Sequence, residues 1–204
     1  LDGAIVVLSS VEGVQPQTEV YFKALKELNT PSIFFINKLD RIGASPYKTI
    51  KDMKKLLTNK LIPLQLVYEK NNGFIVKNIF DNVDNVKNIL EIKDKSFNQL
   101  LEDIIDILGN NNEDILNQFF DGTLTLEIIK SEIILQASNG QIYPVLYGIA
   151  LRGEGIKELL SGIIDYLPGP ENLDDSDLSA LVYKISHNKT LGKIAHIKIF
   201  SGSI

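Results

Sequence analysis

The 204-residue sequence contains no cysteine, which excludes disulfide staples and thiolate metal sites and suits a reducing compartment such as the cytoplasm. It has no apolar run near the roughly 20 residues of a membrane span, so no membrane partner is expected. Histidine is scarce as well. His187 and His196 have no third ligand in view, and both read as ordinary residues of alternating strands rather than as a metal site. Positive charge is not in excess: 21 Lys and Arg against 26 Asp and Glu leave a formal charge of −5. That balance argues against direct DNA binding by broad electrostatics. An initiator methionine is missing too. Leu1 leads straight into an apolar strand, and the last residues stop as a strand pair is completed, so a piece of a longer, monomeric protein is expected.

What is present is a globular composition, 44% hydrophobic and 23% charged. Ala4–Leu8 is a continuous apolar run, the pattern of a parallel strand covered on both faces. Pro16 suits the first turn of a helix, and Tyr21, Ala24, Leu25 and Leu28 then mark its apolar face, with an end near Asn29. Ser32–Ile36 is a second apolar strand, so the opening is a strand–helix–strand unit. Ser45-Pro46 predicts the start of another helix, buried along Ile50, Met53 and Leu57.

The stretch from Leu61 to Phe80 alternates around Asn71-Asn72-Gly73 and reads as a β-hairpin. Phe97, Leu100, Leu101, Ile104, Ile105 and Leu108 make a strongly periodic helix, with Glu102, Asp103 and Asp106 on its solvated side. A shorter helix holds Ile115, Leu116, Phe119 and Phe120, the two phenylalanines reading as core. A third spans about Leu126–Leu135. Tyr143–Tyr147 returns as an apolar strand, followed by Gly148-Ile149-Ala150 and a helix over about Gly155–Leu167. Residues 168–177 read as a linker, and the final alternating strands begin an antiparallel domain.

In open α/β sheets, ligands bind beyond the carboxyl ends of the strands. Two such ends carry informative loops, Asn37-Lys38-Leu39-Asp40 and Gly148-Ile149-Ala150. A carboxylate at Asp40 suits the paired N1–H and N2–H donors of guanine, which it would accept as a charge-assisted fork. Adenine has no such pair and would leave the carboxylate unpaired. Asn37 would either bond the far edge of the base or tie its loop to a neighbour. The stem of Lys38 suits one face of the base, and Leu151 the other. A backbone N–H near Ala150 is placed to reach the guanine carbonyl. The plainer reading of Asn37 and Asp40 is a helix-capping pair in a solvated loop.

These residues resemble a known family. FFINKLDRIGA resembles the fourth guanine-nucleotide motif of elongation factor G-like translational GTPases. LDGAIVVLSSVEGVQPQT resembles the strand and loop following their switch II region. NEDILNQFFDGTLTLE is similar to the helical insert of the group, and LVYKISHNKTLGKIAHIKIFSG to the first strands of its second domain. The resemblance is collinear over essentially the whole chain, and its phrasing looks closest to the tetracycline-resistance ribosomal protection proteins. It implies the C-terminal part of an α/β, P-loop GTPase domain over residues 1–167, a parallel sheet with helices and an α+β insert at about 62–135. Residues 178–204 would open a β-barrel domain. It also implies GTP or GDP as cofactor, the ribosome as partner and a cytoplasmic location. Base contacts fall to Asn37, Lys38, Asp40, Ile149, Ala150 and Leu151. The family's fifth motif commonly reads Gly-Ser-Ala, its serine bracing the guanine-reading carboxylate, and Ile149 has no hydroxyl to do so.

The phosphate-handling half is missing. No G-x-x-x-x-G-K-[ST] loop occurs, and no Asp-x-x-Gly element is placed to hold the shell of a Mg²⁺ ion. The expectation is a parent GTPase of the tetracycline-protection type, with this chain carrying base recognition alone and hydrolysing nothing. The alternatives are a piece of an elongation factor G translocase and a non-catalytic docking module.

Overall fold

Ile33, Phe34, Phe35 and Ile36 are four consecutive apolar residues, and a strand built from them needs cover on both faces. In the computed structural model, which describes residues 1–70, 73–80, 95–169 and 177–202, all four are at most 2% exposed. They form β2 (Ser32–Asn37), which pairs in parallel with β1 (Ala4–Ser9) on one side and β6 (Tyr143–Tyr147) on the other. β3 (Leu61–Pro63) pairs in parallel with β6, and the sheet order is β1-β2-β6-β3. Successive residues of β2 feed opposite cores, as the two-residue period of a strand requires. Ile33 and Phe35 join one apolar cluster, Phe34 and Ile36 the other.

β3 corrects the expected hairpin. Leu61 and Ile62 are fully buried in the parallel sheet. The hairpin itself is β4 (Gln65–Lys70) with β5 (Gly73–Asn78), in register from Gln65↔Asn78 to Lys70↔Gly73. Its Asn71-Asn72 tip lies outside the described residues.

Among the described residues β1 is the edge strand and is covered on one face only. Leu8 is 3% exposed, but Ile5 and Val7 on the other face are 39% and 56% exposed. The expected cover on both faces is not found among the described residues. Helix α1 (Pro16–Glu27) is also turned from its expected phase. It buries Phe22 and leaves Tyr21 and Leu28 exposed. The reason is aromatic packing. The Phe22 ring lies 5.2 Å from Phe34 and 4.9 Å from Tyr143, edge-on to the latter, and one ring seated on the sheet outweighs a longer but weaker apolar stripe.

Helix α2 (Pro46–Leu56) seats Met53 fully in the second core. α3 (Lys95–Gly109), α4 (Glu113–Phe120) and α5 (Leu126–Ser138) supply the helical side of the first core. The side chains of Asn112 and Thr125 accept backbone N–H groups at the starts of α4 and α5, which satisfies donors that the helix cannot. Phe119 is half-buried against the first core, whereas Phe120 is 80% exposed and is not core. Asp103 pairs with Lys54 at 3.3 Å instead of facing solvent alone. α6 (Ile156–Tyr166) completes this unit, which runs from Leu1 to Pro168. The helices of the expected insert share a core with Ile33, Phe35 and Leu146 of the sheet.

The second unit contains β7 (Ser179–Asn188) and β8 (Gly192–Ser201), an antiparallel pair. Asn188 Oδ1 accepts from the N–H groups of Thr190 and Leu191 to close the turn. His196 Nε2 is bonded to Ser186 Oγ at 2.8 Å. Most of the expected linker, residues 170–176, lies outside the described residues. Among the described residues no helix is long and apolar enough to cross a membrane, and no cluster of metal-ligating side chains occurs.

Candidate functional site

Ile36 and Tyr147 are register partners, so β2 and β6 release their loops side by side. The Gly148 N–H continues the ladder onto Ile36 O at 3.0 Å. Two glycines let the loop after β6 double back. A Cβ at Gly148 would lie 2.6 Å from the Phe35 ring, and one at Gly155 (φ +79°) would run into the Tyr147 carbonyl. Between them Ile149 N–H donates to Glu154 O at 2.9 Å, and residues Ala150–Arg152 form a single 3₁₀ turn.

That turn aims the Ala150 N–H at Asn37. Asn37 Oδ1 accepts from it at 2.9 Å and from the Lys38 N–H at 2.7 Å. One amide oxygen therefore ties the two loops together. The Ala150 N–H, which sequence reasoning directed to the carbonyl of a base, has an acceptor within the protein. Lys38 itself is held at φ +66°, in the left-handed region that side chains other than glycine rarely adopt. Its Nζ lies 3.4 Å from Glu12 Oε1.

Asp40 follows Leu39, which is buried at 3% exposure and anchors the loop in the second core. The Asp40 side chain is 14% exposed, and Arg152 Nη2 lies 3.8 Å from its Oδ2. Arg152 also reaches Glu154, Nη1 to Oε1 at 4.0 Å. Ile149 points into the second core at 8% exposure, with Leu39, Val67 and Tyr147 in the same cluster and Phe74 and Val76 packed against it. Leu151 is 83% exposed.

Residues 1–169 match the family described as the elongation factor Tu GTP binding domain. The chain belongs to that family. This GTP-binding domain is similar to the tetracycline resistance protein TetP of Clostridium perfringens, with 38% identity across 100% of the chain and 29% of that protein. A solved crystal structure of a Thermus thermophilus protein superposes with a TM-score of 0.76, covering 98% of this chain and 32% of that one at 24% identity. The second likeness speaks for the fold alone. The chain thus spans about a third of the length of these relatives. The family is one of translational GTPases, and guanine nucleotide is its general ligand class.

At the joined loops stand a largely buried carboxylate at Asp40, the exposed Leu151 and the aliphatic stem of Lys38, a donor-accepting group and apolar surface of the kinds a purine base can use. Glu12 and Arg152 were not found by sequence reasoning. Glu12 sits in the loop after β1, where Ser9 Oγ accepts the N–H groups of Val11 and Glu12 at 3.3 Å each. Recognising that β1, β2 and β6 are neighbours would have brought that third loop into view.

Proposed function

We propose that the chain is the base-recognising part of a cytoplasmic, monomeric, ribosome-associated GTPase that protects the ribosome from tetracycline by GTP-dependent displacement of the drug. The similarity to TetP, which runs along the whole of this chain and 29% of that protein, supports the protection reading. The observation that carries base recognition is the placement of Asp40 beside the Asn37–Ala150 tie, at the joined ends of two parallel strands. Bound guanine would supply two N–H donors to the Asp40 carboxylate, while Lys38 and Leu151 cover its faces. Asn37 holds both loops in the spacing this needs. An adenine has no such donor pair and would forgo the charge-assisted fork to Asp40, a loss of about 1.5–3 kcal/mol. The phosphates and Mg²⁺ would be handled by parts of the protein outside this sequence, which has no G-x-x-x-x-G-K-[ST] loop.

Asp40→Asn in the protein that contains this chain should weaken GTP sharply and shift preference to xanthine nucleotides, whose 2-oxo group wants a donor. Unchanged GTP affinity in nucleotide titrations would remove Asp40 from this role. Tetracycline release from loaded ribosomes, driven by GTP, separates the protection reading from translocation. By itself the chain should bind GTP no tighter than about millimolar, since the phosphate cradle supplies most of the affinity.

A further inference from the structure

Arg152 stands on the same carboxylate that the proposed reading assigns to guanine. Its backbone is fixed by the 3₁₀ turn, with the Arg152 N–H donating to Ile149 O at 2.9 Å, and by Gly153 at φ +75°. Its side chain is 61% exposed, so no core packing pins the guanidinium in place. The guanidinium presents a planar fork of N–H donors. Guanine presents the same pattern on its N1–H and N2–H edge. The Asp40 side chain is only 14% exposed, which leaves little of the carboxylate open, and two forks cannot occupy the same acceptor edge. A second perch is at hand. The other guanidinium nitrogen is already 4.0 Å from Glu154 Oε1, and the Glu154 side chain is 58% exposed.

We propose that Arg152 is a self-supplied occupant of the base-reading carboxylate, which guanine displaces towards Glu154. In the base-free state it keeps a largely buried Asp40 from standing unpaired. On binding, that contact must be given up, so Arg152 lowers affinity for guanine and leaves bases that do not use Asp40 unaffected. Arg152 is thus a specificity-determining residue. The inference rests on the base-recognition reading of Asp40, and the two fail in different ways.

The test uses guanosine and adenosine as neutral probes, because a phosphate would be attracted to the guanidinium for unrelated reasons. Amide shifts of Lys38, Ala150 and Leu151 are followed by NMR in the 204-residue chain. Arg152→Met should tighten guanosine about two- to fivefold, the range of an exposed ion pair, and leave adenosine unchanged. Glu154→Gln removes the second perch and should weaken guanosine. Raising KCl should tighten guanosine in the parent chain, by screening the pair, and have no such effect in Arg152→Met. Guanosine affinity that is unchanged or weaker in Arg152→Met overturns the inference alone, provided Asp40→Asn abolishes the preference for guanosine. A preference for guanosine that survives Asp40→Asn overturns both the base reading and the inference.

Discussion

Asn37 Oδ1 accepts the backbone N–H of Ala150 across 113 residues of chain, and the same atom accepts the N–H of Lys38. The ends of β2 and β6 are therefore held together by one side-chain oxygen beyond the last ladder bond. Asn37→Ala should leave both N–H groups without that acceptor. The local cost is about 1 kcal/mol, which corresponds to roughly fivefold faster hydrogen exchange at Ala150. Protection at Ala150 that is unchanged in the variant would show that the turn after β6 holds itself.

The departure at Ile149 has a structural consequence of its own. Its side chain is 8% exposed, inside the cluster that seats Phe74 and Val76 of the hairpin. Ile149→Ser, which writes the commoner family residue back in, should not act as a gain. It would remove buried methyl groups and place a hydroxyl in an apolar wall, for a loss of about 2–4 kcal/mol. Urea unfolding reads this directly. A midpoint at or above that of the parent chain would mean that the serine finds a polar partner that isoleucine denies it.

Much of this arrangement was legible in residue patterns, and the limits have physical reasons. The unbroken Ile33–Ile36 run reads as a strand buried on both faces, and its polar tip at Asn37–Asp40 is where open sheets bind ligands. Leu61–Pro63 reads in sequence as part of the hairpin beside it because a three-residue strand has no period to display. Only its pairing with β6 reveals it. The phase of α1 was hidden because Tyr21 and Leu28 compete on hydrophobicity with Phe22, while the ring contacts that decide between them lie on other strands. The ion pair Arg152–Asp40 depends on β6 lying beside β2, which no local pattern encodes.

Lys38 carries strain that a substitution can release. A left-handed backbone costs a side-chain residue about 1–2 kcal/mol, and glycine returns about 0.5–1 kcal/mol of that as lost chain entropy. Lys38→Gly should therefore raise stability by about 0.5 kcal/mol, even after losing an exposed pair to Glu12 that is worth little. The same variant removes the stem proposed to cover the base, so guanosine shifts at Leu151 should shrink. Lower stability in urea would show that the Glu12–Lys38 contact outweighs the backbone strain.

Two tyrosines give the fold an alkaline limit. Burial pushes the hydroxyl of Tyr147 well above its ordinary range, with Tyr47 nearby adding to the effect. Burial does the same at Tyr166, helped by the charge of Asp165. The folded chain then keeps protons that the unfolded chain gives up from about pH 10 upward. Because the native state binds more protons in that range, stability is intact below about pH 10 and falls as pH rises above it. The slope is about 1.4 kcal/mol per pH unit for each tyrosine. Lysines titrate in the same window, so the informative quantity is a difference. Urea midpoints measured from about pH 9 to about pH 11.5 should fall steeply in the parent chain and less steeply in Tyr147→Phe and in Tyr166→Phe. Equal slopes in all three would mean that neither hydroxyl is held out of water when the chain is folded.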